Sequence, residues 1–236
     1  MPSRRRDLAI LMAALAVVVA WDLGGLDFPL SGLFAGEGGF RWRDDFVASR
    51  VLHDGGRWLA WIVLGVLALD AWRPLVPGPS RRLRAAWVAA TLLLVAAVPA
   101  LKRLSDTSCP WDVAGLGGRF PYVPHWLAGV ADGGPGHCFP SGHAVSAFAF
   151  VGLYFLWRRH RPPLARVLLL AVFTAGLLFG AAQLVRGAHF LSHTLWSAWL
   201  CWAGALAFEL GVQFRARRHA VVTPRPGSAV QASIGS

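Results

Sequence analysis

The stretch GHCFPSGHAVSAF, residues 136–148, places a polar turn directly before an apolar segment of helical character. In this turn Ser141 can cap the helix with its hydroxyl oxygen, and Gly142 leaves the first backbone N–H groups uncovered. A helix start of this kind favours an anion, because free N–H groups and the positive end of the helix dipole meet there. His143 adds an imidazole at the same level. The turn therefore predicts a polar site at the mouth of an apolar helix, although capping alone also explains Pro-Ser-Gly taken by itself.

The chain around this stretch is too apolar for an ordinary soluble domain. Hydrophobic residues make up 56% of its 236 residues, and charged residues only 15%. A helix needs about 20 mostly apolar residues to span a bilayer. Six segments approach that length: 8–25, 57–73, 84–102, 143–158, 165–184 and 193–213. We predict an all-α polytopic membrane protein, with a bundle of six transmembrane helices in residues 1–213 and a basic, disordered cytoplasmic tail in residues 214–236.

The charged residues are divided between the two sides of this predicted bundle. If six helices alternate in direction, most of the 23 basic residues lie on one side, in clusters before the first helix, after the second, after the fourth and after the sixth. Most acidic residues lie on the other side. This is the positive-inside pattern, and it predicts that both termini are cytoplasmic. The net charge of +11 is thus explained by membrane topology and argues against nucleic acid as a partner.

Cations and imidazoles collect at the opposite, outer ends of the predicted helices. Lys102 and Arg103 end the third helix, Ser141 and His143 open the fourth, and the turn between the last two helices carries Arg186, His189 and His193. Ionisable groups at membrane depth are costly and tend to be functional. Lysine, arginine and free N–H groups can hold a phosphate, and histidines can attack phosphorus or protonate a leaving oxygen. Two alternatives stay open: Lys102 and Arg103 as interface anchors, and His189 with His193 as metal ligands.

Two long segments lie outside the predicted helices. Residues 28–56 mix apolar and charged residues and predict an amphipathic helix on the outer surface. Residues 103–142 are rich in glycine and proline and predict an ordered loop. Cys109 and Cys138 both fall in this loop. Because an exported loop lies in an oxidising compartment, we predict a disulfide between them, with two free thiols as the alternative.

Three motifs in this region resemble those of the type-2 phosphatidic acid phosphatase superfamily, which also contains vanadium haloperoxidases. The family motifs are KxxxxxxRP, PSGH and SRxxxxxHxxxD. Here KRLSDTSCP, residues 102–110, keeps the first spacing, PSGH matches at residues 140–143, and QLVRGAHFLSH, residues 183–193, is similar to the third. The CPW and GAHFLSH segments also resemble those of a bacterial branch of this family.

The resemblance implies a role for each matched residue. His189 would be the nucleophile that forms a phosphohistidine, and His143 would protonate the leaving group. Lys102, Ser141 and the backbone at Gly142 would hold the phosphoryl oxygens. The reaction would need no metal or other cofactor.

The sequence departs from the family pattern at three positions. Cys109 and Gln183 stand where the family has its two arginines, and His193 stands where it has the aspartate that orients the nucleophile. Either Arg103 or Arg119 could replace the first arginine. Arg186 follows Gln183 by about one helical turn and could replace the second. A neutral His193 could accept a hydrogen bond from His189, but without the fixed negative charge of an aspartate.

From the residues and the resemblance together, we predict a metal-independent lipid phosphatase of the bacterial inner membrane. Its site would face the periplasm and hydrolyse a phosphomonoester or pyrophosphate of a lipid in the outer leaflet. Two alternatives are a lipid phosphotransferase and a non-catalytic protein that binds lipid phosphates. The sequence does not distinguish among phosphatidic acid, phosphatidylglycerol phosphate, undecaprenyl pyrophosphate and lipid A as substrates.

Overall fold

The computed structural model describes residues 4–127 and 129–222, and this part of the chain is predominantly helical. Its α-helices are α1 Arg4–Leu23, α2 Asp27–Gly32, α3 Gly55–Trp72, α4 Arg81–Lys102, α5 Gly142–Phe148, α6 Gly152–Trp157, α7 Pro162–Val185 and α8 Leu191–Val222. A short antiparallel hairpin pairs β1 Ala35–Gly36 with β2 Gly39–Phe40, Ala35 opposite Phe40.

Each of the six predicted apolar segments is helical, and within the described residues four helices are long and apolar enough to cross a membrane. These four are Val47–Trp72, Arg81–Lys102, Pro162–Val185 and Leu191–Ala216. The segment Gly142–Trp157 is apolar but shorter. In α1 the apolar run is flanked by charged residues, with Arg4, Arg5, Arg6 and Asp7 at one end and Asp22 at the other. The chain is thus a multi-pass helical protein, and the full count of six spans stays a prediction.

The short helical segment Gly142–Trp157 lies at the centre of the bundle. It starts with α5, passes through one 3-10 turn at Ala149–Val151 and ends with α6. Helices α3, α4, α7 and α8 pack around it. Glycines permit the closest contacts: a Cβ at Gly152 would lie 2.6 Å from Trp87, and one at Gly176 would lie 2.3 Å from Phe148. The fourth predicted helix is therefore the most enclosed one, and its first residues are held by its neighbours.

Buried ion pairs join the helices at the end of the bundle where α6 ends. Arg158 donates to both carboxylate oxygens of Asp7, at 3.0 and 2.9 Å, and to Glu209 at 3.2 Å. Arg84 pairs with Asp70. Because a buried charge left without its partner is strongly destabilising, these contacts fix α1, α6 and α8 relative to one another. At the opposite end of the bundle, helix termini and loops surround a cavity.

Two sequence predictions need correction. Residues 28–56 do not form one amphipathic helix: α2 and the β-hairpin occupy the first part, and a π-helical stretch, Val47–Asp54, continues directly into α3. Helix α8 runs to Val222, so residues 214–222 are helical although they were predicted to belong to the disordered tail. The remaining tail residues, 223–236, lie outside the described part of the chain.

The predicted ordered loop between α4 and α5 is held by one buried carboxylate. Asp132 accepts hydrogen bonds from the Ser108 backbone N–H at 2.7 Å, the Ser108 hydroxyl at 2.8 Å and the Gly134 N–H at 2.9 Å. A small apolar cluster secures the loop against the hairpin and the turn after α7; its buried members are Phe40, Val113, Leu116 and Phe190. These contacts bring both loop cysteines to the site described next.

Candidate active site

A cavity of about 460 Å³ opens where α4 ends and where α3, α5 and α8 begin. Five of the residues singled out by the sequence line it: Lys102, Gly142, His143, Arg186 and His189. They come from three separate segments, and the common end of the bundle brings them together. Three motifs separated by up to 87 positions therefore form one site.

The turn between α7 and α8 positions His189. Gly187 has a φ of 73°, a conformation that favours glycine, and the aromatic ring of Phe40 packs where a Cβ would lie. The N–H groups of Ala188 and His189 both donate to the Gln183 carbonyl, at 2.8 and 3.3 Å. Burial, followed by the positive charge of Lys102, holds the pKa of His189 well below its usual value. A buried and neutral imidazole can serve as a nucleophile.

A disulfide joins Cys109 and Cys138 beside this turn. The Cys138 sulfur lies 3.0 Å from the Ala188 carbonyl oxygen and 3.5 Å from His189 Nδ1. Because a disulfide sulfur carries no hydrogen, both are packing contacts and not donated hydrogen bonds. The bridge thus closes the cavity wall behind His189. It also prevents Cys138 from acting as a thiolate ligand with His189 and His193, whose ligand atoms lie within 4.8 Å of it.

His193 lies behind His189 and is fully buried. The two Nδ1 atoms are 3.4 Å apart, at the long end of the hydrogen-bonding range. If His189 donates its Nδ1 hydrogen to His193, the Nε2 lone pair of His189 is free for attack. His193 then carries its own hydrogen on Nε2, which has no hydrogen-bond partner among the described residues. The position of the family aspartate is thus filled by a group that can orient His189 but supplies no fixed charge.

His143 is held by a residue that the sequence analysis did not select. Its Nε2 lies 2.8 Å from the backbone carbonyl oxygen of His53, so this nitrogen carries a hydrogen and donates it. The two rings also stack, with their centroids 3.7 Å apart. His53 belongs to the π-helical stretch before α3, and stretches of this kind occur often at functional sites. This contact fixes the tautomer and the ring orientation of His143 and leaves Nδ1 as the nitrogen that can exchange a proton.

Three cationic side chains line the cavity: Arg57, Lys102 and Arg186. Arg186 donates from Nε to the Arg43 carbonyl at 2.9 Å, which leaves its terminal nitrogens available. Gln183 also lines the cavity, and its buried Nε2 has no hydrogen-bond partner in the described structure. The cavity therefore offers an anion positive charge and an unused amide donor.

Three residues that the sequence analysis offered as phosphate ligands do not line the cavity. Arg103 is exposed and lies outside the cavity, because it directly follows Lys102 and projects from another face of the helix end. Arg119 does not line the cavity either; its guanidinium lies over the Phe120 ring. Ser141 is buried, and its hydroxyl accepts the Ala144 N–H at 3.4 Å, so it caps α5 and does not face the cavity. Gly142 is open, with nothing within 4 Å of a Cβ placed on it.

The sequence analysis missed His53 and Arg57 as site residues. His53 precedes and Arg57 begins a predicted span, in a segment that carries no family motif. The only local signal is a pair of basic side chains, four positions apart, at the start of an apolar helix. Their contact with His143 and the cavity depends on how α3 packs against α5, which no local pattern reveals.

Comparison with known proteins identifies the family. The sequence profile of the PAP2 superfamily matches residues 84–217, more than half of the chain. The chain therefore belongs to the PAP2 superfamily. No curated protein matches the sequence.

One solved structure shares the fold. The crystal structure of the first transmembrane PAP2-type phosphatidylglycerolphosphate phosphatase from Bacillus subtilis aligns with a TM-score of 0.52 and 16% sequence identity. The alignment covers 92% of this chain and 98% of that one. The apolar helices and this shared fold mark the chain as a multi-pass membrane protein of a phosphatase family.

Proposed function

We propose that this protein is an integral-membrane lipid phosphatase that works through His189. The observation that carries the proposal is the convergence of His189, His143 and three cations on one cavity. Family membership supports the phosphatase reaction. The substrate would be a phosphomonoester or pyrophosphate attached to a lipid.

An apolar groove supports a lipid substrate. It has a volume of about 210 Å³ and lies between α3, the central helical segment and α7. Ala60, Ser146 and Phe150 line both this groove and the catalytic cavity, so the two spaces adjoin. A phosphate held at Lys102 and Arg186 would therefore have hydrocarbon-lined space beside it. A soluble phosphate ester would gain nothing from such a groove.

The reaction would proceed in two displacements. His189 Nε2 attacks phosphorus and forms a P–N bond while the P–O bond to the lipid breaks. His143 would enter this step as imidazolium, and its Nδ1–H would protonate the departing oxygen while Nε2–H stays on the His53 carbonyl. Water then attacks the phosphohistidine and gives a proton to His143, the P–N bond breaks, and inorganic phosphate leaves. Arg57, Lys102, Arg186 and the Gly142 N–H would stabilise the charge on the phosphoryl oxygens. No step requires a metal ion.

The direction of the site follows from the charge pattern. Six membrane spans with both termini in the cytoplasm would put the cavity at the outer face of the bacterial inner membrane, and the basic clusters at the other ends of the helices support this direction. The Cys109–Cys138 disulfide supports the same direction, since such bonds persist in an oxidising compartment.

The direct test is phosphate release by purified protein in detergent. Phosphatidic acid, phosphatidylglycerol phosphate, undecaprenyl pyrophosphate and lipid A would be supplied one at a time in the presence of EDTA. We expect release from at least one lipid, and a fall of about 10³-fold or more in His189→Ala and His143→Ala. His137→Ala is the matched control, because His137 is exposed in the same loop region and does not line the cavity.

The same assay distinguishes the alternatives. Radiolabelled phosphate that remains bound to the wild-type protein after an acid-free quench, and is lost in His189→Ala, would support the phosphohistidine. Release that occurs only when a second lipid is added would indicate a phosphotransferase. Binding of the lipid phosphate with no turnover in any condition would contradict the phosphatase proposal and favour a binding protein.

A further inference from the structure

Two carboxylates and an imidazole meet outside the catalytic cavity. Asp22 ends α1, Asp27 begins α2, and His125 lies in the loop between α4 and α5. Their ligand atoms lie within 4.8 Å of one another. The side chains of Asp22 and His125 are each only 5% exposed, and Asp27 is buried as well. None of the three lines the catalytic cavity.

The hydrogen bonds of this cluster leave two buried atoms without a partner. Asp27 accepts from Trp21 Nε1 at 2.8 Å, from the Ser192 N–H at 3.0 Å and from the Ser192 hydroxyl. Asp22 Oδ2 accepts from Trp196 Nε1 at 2.8 Å. In contrast, Asp22 Oδ1 and His125 Nε2 have no hydrogen-bond partner among the described residues, although His125 Nε2 lies 3.4 Å from Asp22 Oδ2. Both atoms belong to side chains that line one small cavity together with Asp27 and Tyr122.

No arginine or lysine of the described residues compensates the charge of the two carboxylates. Within residues 4–127 and 129–222, the ion pairs of arginine and lysine do not include Asp22 or Asp27. Burying two neighbouring carboxylates is costly unless a positive charge lies between them. A cation bound between the two carboxylates would offset this charge.

We propose that Asp22, Asp27 and His125 bind a divalent metal ion, with zinc as the best match. Mixed carboxylate and imidazole donors suit zinc, whereas calcium and magnesium take oxygen ligands. Zinc in a structural site is four-coordinate, and the Tyr122 hydroxyl, which lines the same cavity, would fill the fourth position. The unpartnered Asp22 Oδ1 and His125 Nε2 would become ligand atoms.

This ion would brace the catalytic helix without taking part in the reaction. Asp27 holds Ser192, which directly precedes His193, and Asp22 holds Trp196 one turn further along α8. The ion would therefore connect the junction of α1 and α2 to the first turns of α8. Its removal would lower stability, while phosphate release in EDTA at a temperature well below unfolding would continue.

The test measures bound metal and thermal unfolding of the full chain in detergent. Protein is treated with EDTA, desalted, loaded with Zn²⁺, desalted again and analysed by elemental mass spectrometry. We expect one zinc per chain in the wild type and less than a fifth of that in Asp22→Asn and His125→Gln. The unfolding temperature should rise by about 5 to 10 °C at free Zn²⁺ about 100 times Kd. His137→Gln and His189→Gln are the controls and should keep the zinc.

X-ray absorption at the zinc edge keeps the proposal falsifiable if a variant does not fold. One imidazole nitrogen and two or three oxygens around the wild-type zinc would support it, and a shell with two or more imidazoles would place the ion at the catalytic histidines and overturn it. Zinc binding that persists in both His125→Gln and Asp22→Asn, or the absence of bound zinc in the wild type, would also overturn it. All these outcomes are read independently of phosphate release.

Discussion

The ring of His53 lies flat on the ring of His143, with 3.7 Å between centroids and 7° between the planes. The same residue also accepts the His143 Nε2 hydrogen on its backbone carbonyl. His53 itself is fixed by Asp54, whose carboxylate lies 2.8 Å from His53 Nδ1. A residue four positions before the second predicted span thus sets the position of the proposed acid and holds its Nε2 hydrogen.

Removing the His53 ring should slow the reaction through misplacement of His143. We expect His53→Ala to lower kcat by about 10-fold, because proton transfer depends on the position of the acid. His53→Phe keeps a flat ring and the backbone carbonyl, so it should retain most of the wild-type rate. Steady-state kinetics on the preferred lipid would measure both. A rate for His53→Phe as low as that for His53→Ala would show that the imidazole itself matters and not its stacking.

The cations that line the cavity should contribute to phosphate binding, and Arg103 should not. We expect Arg186→Ala and Arg57→Ala each to lower kcat/KM by about 10- to 100-fold, since charge-assisted hydrogen bonds contribute about 1.5 to 3 kcal/mol. Gln183→Ala should have a smaller effect, because its amide is neutral. Arg103→Ala is the matched control and should be close to wild type. An effect of Gln183→Ala larger than that of Arg186→Ala would mean that Arg186 does not replace the family arginine.

The pH profile should reflect the environment of His189. Its lowered pKa means that the neutral, nucleophilic form persists to lower pH than for an ordinary histidine. The acid limb of kcat/KM that belongs to the nucleophile should therefore lie below pH 6.5, near which a free histidine titrates. Because the positive charge of Lys102 contributes to the shift, Lys102→Gln should move this limb to higher pH while also weakening binding. A limb that stays in place in Lys102→Gln would contradict this electrostatic coupling.

The Cys109–Cys138 bridge should stabilise both the loop and the catalytic turn. It closes a loop with a sequence separation of 29 residues, and a loop of this size corresponds to about 3 to 4 kcal/mol in the chain-entropy treatment. Replacement of both cysteines by serine should lower the unfolding free energy by this order and reduce activity, because Cys138 contacts Ala188 and His189. Non-reducing peptide mapping should recover the two residues in one linked peptide. Cys201→Ala is the control, since Cys201 is free and buried in α8.

The positions of the helices could be predicted from the sequence because long apolar runs carry their own signal. The predicted segment 84–102 corresponds to α4, Arg81–Lys102, and 165–184 corresponds to α7, Pro162–Val185. The segments 8–25 and 143–158 are helical too, but hydropathy alone does not make them spans. Residues 28–56 were misinterpreted because alternating charged and apolar residues fit both an amphipathic helix and a short hairpin followed by a helix.

The sequence predicted those residues of the site that lie in the three family motifs. Lys102, His143 and His189 share the cavity, as expected from their places at helix ends. Arg103 was wrongly included because sequence adjacency to Lys102 does not imply a shared direction: neighbouring residues on a helix point about 100° apart. His53 and Arg57 required the packing of α3 against α5, a long-range contact. The cluster of Asp22, Asp27 and His125 required three segments that no spacing rule connects.

The length of the central helical segment would set the depth in the membrane at which the proposed reaction takes place. Gly142–Trp157 has 16 residues, which correspond to about 24 Å of helix, whereas the hydrocarbon core is about 30 Å thick. If this segment crosses the membrane as proposed, with Arg158 held at its far end by ion pairs with Asp7 and Glu209, the shortfall would fall at Gly142 and His143. The phosphate of the proposed substrate would then have to enter below the headgroup layer to reach them. Bulky headgroups would be excluded by depth alone, before any contact with a side chain distinguishes one lipid from another.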